Sequence, residues 1–234
     1  MENINLNSLS IPGDGANVPQ NNFSAGNGNI EVYFKNIEEE IIKKIEQYDC
    51  VIGCVAWLTN ENILKALSKK KECIIIIQEE DFLRPDTSFN GDKLKWAKKM
   101  KKLYNALSGG NNEFYTYLGI SICCSHENGI RRCGYLNKNK LPAFPRMHNK
   151  FIICYNYINE NFSNLSESID GEVITGSYNY TENGNNSLEN IVCIKDKTIV
   201  EAYSRQFGEI SLLSVPLDWN KEWAPNKSEL RYGT

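Results

Sequence analysis

The 234-residue chain is long enough for one domain with its own apolar core. Its 41% hydrophobic and 24% charged residues are those of a globular protein and exclude a disordered or fibrous chain. A formal net charge of −3 excludes global attraction to polyanions, so any phosphate-binding surface must be local.

Residues 1–29 are rich in Asn, Gly, Ser and Pro and read as a flexible arm before a domain spanning 30–234. The arm is also a place where a larger protein complex could form. Its polar start carries no secretory apolar run, and no segment of the chain is long enough to span a bilayer. The eight cysteines lie largely within apolar runs, such as Cys73 before Ile74–Ile77, and read as reduced thiols of a cytoplasmic protein.

From residue 30 strands and helices alternate. Ile30–Phe34 is expected as a strand, and residues 36–48 carry Ile37, Ile41, Ile42 and Ile45 at helical spacing. Cys50–Trp57 is a continuous apolar run, the pattern of a strand buried on both faces. Thr59 is expected to cap a helix running to about Ser68. A second buried strand follows at Glu72–Gln78, then a Lys-rich amphipathic helix at Asp92–Leu107 and a strand at Glu113–Ile122. Short strands are expected at Phe151–Cys154, Val173–Thr175 and Asn190–Ile194. A last helix over 198–213 should turn Ile199, Ala202, Tyr203, Phe207 and Ile210 inward. The order implies an α/β sandwich, a mixed and mostly buried β-sheet flanked by helices.

Three segments carry chemistry. His148-Asn149-Lys150 leads into the strand Phe151–Cys154, and strand residues i and i+2 share a face, so His148 and Lys150 can address one group. Thr175-Gly176-Ser177-Tyr178-Asn179 closes a strand, with Ser177 and Asn179 on one side and Gly176 permitting close approach to the backbone. Ser187-Leu188-Glu189-Asn190 opens the next strand with a carboxylate. No second copy exists, because the other histidine, His126, is followed by Asn128 where a lysine would be needed.

His-x-Lys, then Gly-Ser-x-Asn, then Glu, at these distances, resembles the HKD motif of the phospholipase D superfamily. The stretch GSYNYTENGNNSLENIVCI looks most like its single-motif bacterial endonuclease branch. The family pattern places an Asp five positions after the lysine, where this chain has Tyr155; in the resembling enzymes that Asp is chiefly structural. The resemblance implies phosphodiester cleavage through a phosphohistidine on His148. Glu189 would orient the imidazole, Lys150 and Asn179 would stabilise the phosphoryl oxygens, and Ser177 would add a hydrogen bond. It implies no metal or cofactor. The chain has one suitable histidine, so the general acid should be His148 of another copy, in a two-fold homodimer with a composite site.

Between Lys93 and Lys150 stand twelve basic residues against two acids, Glu113 and Glu127. That concentration favours a nucleic-acid substrate, DNA or RNA, with Arg131, Arg132 and Arg146 as candidates for contacts near the cleft. Trp57 would line the substrate groove or pack. A phospholipase is the second reading, with Leu141–Phe144 as a small apolar lip, and a nucleic-acid-binding module without turnover is the third. Cys123, Cys124, His126 and Cys133 are irregularly spaced for zinc and read better as loop thiols. Trp219 and Trp223 are expected to cover the core or a dimer seam.

Overall fold

The computed structural model describes residues 23–25, 28–79, 83, 90–110, 129–134, 146–157 and 169–219. The strands are β1 (Phe23–Ala25), β2 (Ile30–Tyr33), β3 (Cys50–Val55), β4 (Glu72–Gln78), β5 (Ile130–Cys133), β6 (Lys150–Tyr157), β7 (Ile169–Gly176), β8 (Ile191–Ile194) and β9 (Val215–Pro216). The helices are α1 (Ile37–Glu46), α2 (Glu61–Leu67), α3 (Gly91–Tyr104), α4 (Glu182–Asn185) and α5 (Lys197–Leu212). The described strands form one sheet in the order β1-β2-β8-β7-β6-β3-β4-β5-β9. β3, β4 and β5 are mutually parallel and the other pairs are antiparallel. The two parallel pairings need crossovers, which carry α2 and α3.

Strand alternation sorts the apolar residues into two cores. Val51, Val55, Ile75, Ile77, Ile152 and Ile174 meet Ile41, Ile45, Leu64, Met100 and Tyr104 of the first three helices. Ile52, Cys54, Ile74, Ile76, Phe151 and Val173 meet Val200, Phe207 and Ile210 of α5 on the opposite face. Helices on both faces of a mixed sheet are the α/β sandwich that the sequence implies, and they explain why β3 and β4 read as unbroken apolar runs. Among the described residues no helix is long and apolar enough to cross a membrane. The six described cysteines are free thiols, and burial pushes that of Cys50 up to about 12.

Several expectations need correction. Phe23–Ala25, expected in the arm, pairs with β2 as an edge strand, so the sheet begins inside that segment. Asn60, not Thr59, caps α2, its Oδ1 accepting from Asn62 N and Ile63 N at 3.0 Å, because the helix starts at Glu61 and Asn60 is the residue directly before it. On α5 Ala202 is exposed, while Ser204 and Ser211 are buried against neighbouring backbone. Arg131 is not at a phosphate-binding surface. Only 4% exposed on β5, it donates from Nε to Ser214 Oγ at 2.6 Å and from Nη2 to Ser214 O at 2.9 Å. Its charge ties β5 to the chain leaving α5. Trp219 covers the core as expected, tilted on Tyr104 with its Nε1 donating to Asn105 at 3.1 Å. The expected strand Glu113–Ile122, the lip Leu141–Phe144 and Trp223 lie outside the described residues.

Candidate active site

The site is assembled at the ends of four central strands, where they begin or finish on one side of the sheet. Val55 at the end of β3 pairs with Lys150 at the start of β6, and Gly176 at the end of β7 pairs with Ile191 at the start of β8. The segments just beyond these strands are locked together. Ala56 N donates to Asn149 O at 2.9 Å, and Asn60 N donates to Tyr180 O, also at 2.9 Å. Below them Glu38 of α1 accepts from the amides of Asn60, Asn62 and Asn185, joining α1, α2 and α4 under the site.

His148 and Lys150 do share a side. Lys150 Nζ lies 3.3 Å from His148 Nε2, and Trp57 stands edge-on to the imidazole with ring centroids 5.0 Å apart. Lys150 Nζ sits 5.4 Å over the Trp57 ring, so the indole braces both residues. Trp57 is therefore part of the site wall. Desolvation, then the cations Lys150 and Arg146, hold His148 below the ordinary histidine range. This shift favours the unprotonated imidazole beside the lysine. Desolvation also lowers Lys150, and the charge of Glu189 opposes that shift.

Glu189 is held by Ser177, whose Oγ donates to its carboxylate and accepts from Asn190 N at 3.1 Å. The bond expected from Glu189 to His148 is absent among the described residues; the carboxylate instead faces Ser177 and acts on Lys150 through its charge. Asn179 is half-buried, and its Oδ1 is buried with no hydrogen-bond partner among the described residues. The reason for Gly176 also differs. A Cβ there would lie 2.2 Å from Asn190 O, so glycine is required for β7 and β8 to close on each other beneath Ser177.

Of the arginines, Arg146 bridges Gly134 and is near enough to bear on His148. Arg132 is paired with the buried carboxylate of Glu79, an internal ion pair and not a ready phosphate ligand. Sequence reasoning missed Gln78. Only 2% exposed, it accepts from Met147 N at 2.7 Å, the backbone immediately before His148, and donates to Glu79 O at 3.2 Å. A polar residue ending an otherwise apolar strand was its one signal. Among the described residues no cluster of three or more His, Cys, Asp or Glu could hold a metal ion. Cys123, Cys124 and His126 lie outside those residues, and Cys133 is half-buried on β5.

The sequence model of the family described as "Cardiolipin synthase, PLD-like domain" matches residues 41–211, which hold every candidate catalytic residue. An uncharacterized protein of Acanthamoeba polyphaga mimivirus is 28% identical over 231 residues, 92% of this chain and 74% of its own length. Among solved structures, the phospholipase D family member Nuc from Salmonella typhimurium is 18% identical with a TM-score of 0.47, covering 80% of this chain and 96% of its own. NucT from Helicobacter pylori is 12% identical with a TM-score of 0.45, covering 80% and 98%. With a family match over most of its length, the chain belongs to the phospholipase D-like family of phosphodiesterases.

Proposed function

We propose that the protein is a metal-independent nuclease that cleaves phosphodiesters through a phosphohistidine on His148. The observation that carries this reading is the 3.3 Å approach of Lys150 Nζ to an exposed His148 imidazole, which desolvation and the nearby cations hold below the ordinary histidine range. A nitrogen nucleophile must be unprotonated, and a cation beside it can hold the phosphoryl oxygens as charge shifts onto them. In the first step His148 Nε2 forms a bond to phosphorus and the bond to the leaving oxygen breaks. In the second, water attacks phosphorus and the phosphorus–nitrogen bond breaks. Asn179 would donate to the phosphoryl group from its amide, Ser177 would do so when its O–H turns from Glu189, and Glu189 would balance Lys150.

The leaving oxygen needs a proton that this chain's one site histidine, acting as nucleophile, cannot give. A second copy's His148, protonated while the first copy's is not, supplies it and recovers it from the attacking water, so the working unit is a homodimer with a shared site. Nucleic acid is favoured as substrate by the cations around the site, Lys150 and Arg146, and by the lysines of α3. The test is a panel of plasmid, single-stranded DNA, RNA and phospholipid, with EDTA present, for wild type and His148→Ala. Nucleic-acid cleavage lost in His148→Ala is expected. Cleavage that persists in the variant, or vanishes with EDTA, overturns the mechanism, and turnover of phospholipid alone overturns the substrate.

A further inference from the structure

The first part of α3 is a helix without a core. None of the residues from Gly91 to Lys99 is buried, and Met100 and Tyr104 are the buried residues of the helix. Leu94 and Trp96 are each 38% exposed. Tertiary burial of one face normally holds a helix in place, so this segment is maintained for something other than packing. Its composition is lopsided: Lys93, Lys95, Lys98, Lys99, Lys101 and Lys102 stand against Asp92 alone.

Few of these charges are spent internally. Lys99 engages Glu61, and Lys101 lies 5.3 Å over the Trp219 ring. Lys95 meets Asp92 at 3.1 Å, but both are so exposed that the pair is weak. Among the described residues no ion pair engages Lys93, Lys98 or Lys102.

The helix is anchored at the active-site end of the sheet. Tyr104 Oη donates to Leu58 O at 2.6 Å, one residue after Trp57, and Glu61, the partner of Lys99, opens α2 just beyond. The chain enters α3 from the Gln78 end of β4 and leaves it toward Gly109, which pairs with Cys73 at the opposite end of that strand. Gly91–Lys98 therefore lie on the site side of the anchor, as an exposed cationic rod roughly 12 Å long.

We propose that this segment of α3 is an accessory binding site for the sugar-phosphate backbone of a nucleic-acid strand that extends beyond the scissile bond. The inference rests on the nuclease reading above. Charge complementarity selects the occupant: lysines along an exposed helix, of which Lys93 and Lys98 have no ion pair among the described residues, beside a phosphodiesterase site in an acidic chain, match a polyanion longer than one diester. The contacts are to phosphate, so they raise affinity without choosing sequence.

The test is the triple variant Lys93→Gln, Lys95→Gln, Lys98→Gln, which keeps helix propensity and removes charge where nothing is buried. Binding of a labelled single strand of about 30 nucleotides is measured in the His148→Ala background, where turnover does not interfere. Affinity at low salt should fall roughly tenfold or more, and the slope of log K against log salt by about 2. In the active background, kcat/KM for the long strand should fall roughly tenfold relative to that for bis(4-nitrophenyl) phosphate, a diester too small to reach α3. Unchanged affinity and slope would overturn the proposal, and so would lysine-dependent binding to phosphatidylglycerol vesicles without binding to the strand. Lysine-dependent strand binding by a wild type that cleaves no nucleic acid would remove the nuclease reading and leave this site standing. Cleavage with lysine-independent binding would do the reverse.

Discussion

Replacing Gln78 by Met asks whether His148 is aimed from behind by a buried amide. Gln78 Oε1 accepts from Met147 N at 2.7 Å, and its Nε2 donates to Glu79 O at 3.2 Å. Methionine has nearly the same length and volume, so little cavity opens, but both bonds are lost and the Met147 N–H loses its acceptor. Leaving such a buried group unsatisfied costs about 1–3 kcal/mol. With a urea dependence of roughly 2–3 kcal/mol per molar, the midpoint should drop by roughly 0.3–1.5 M. Met147 precedes His148 directly, so a backbone relaxation of about 1 Å would misplace the nucleophile and lower kcat by up to roughly 100-fold, with KM changing less. Urea unfolding and turnover of a small diester read the two effects separately. Gly134→Ala should reproduce them, since a Cβ there would lie 2.4 Å from Gln78 Oε1 on a backbone with φ of 95°. Wild-type midpoint and kcat in Gln78→Met would refute the reasoning, while a lower midpoint with unchanged kcat would make Gln78 a structural residue only.

The acid limb of the kcat/KM pH profile should fall below the ordinary imidazole value of about 6.5, because desolvation, Lys150 and Arg146 all lower His148. Lys150→Met removes one cation and should move the His148 titration to higher pH, read by proton NMR of the imidazole; a shift to lower pH would contradict the arrangement. Arg131→Met should destabilise the fold by about 2–3 kcal/mol, since the guanidinium loses its bonds to Ser214 and leaves a buried carbonyl unpaired. The same variant should leave the salt dependence of nucleic-acid binding unchanged, whereas a phosphate-contacting arginine would lower the slope. Gly176→Ala forces a methyl against Asn190 O and should cost about 1–3 kcal/mol, a loss visible in thermal unfolding. After subunit exchange with an equal amount of His148→Ala, wild-type activity should fall to about half if the site is shared across a two-fold dimer. An unchanged activity would place the whole site within one chain.

Much of this architecture is legible in the amino-acid sequence. β3 and β4 were legible as unbroken apolar runs because both faces of the sheet are covered, and α1 was legible because its isoleucines recur at helical spacing. The pairing of His148 with Lys150 was legible for the same reason: two residues apart at the start of a strand, they share one face. The short strand β5, between β4 and β9, was not. β5 reads Ile-Arg-Arg-Cys, and nothing local reveals that Arg131 turns inward to Ser214 while Arg132 meets Glu79.

Sequence by itself determined which residues are candidates for the proposed chemistry, His148, Lys150, Ser177, Asn179 and Glu189, because their types and spacing are properties of the chain. Tertiary structure decided how they are held. Glu189 is separated from Ser177 by twelve positions, and Gln78 from Met147 by sixty-nine, yet each pair meets in a hydrogen bond. Trp57 became a wall of the site only because β3 and β6 pair in register, with Val55 opposite Lys150. Likewise the lysines of α3 were visible as a cluster, but their lack of burial and their place at the active end depend on where the helix is anchored. Long-range contacts of this kind arise from packing between distant segments, which no local pattern of residues specifies.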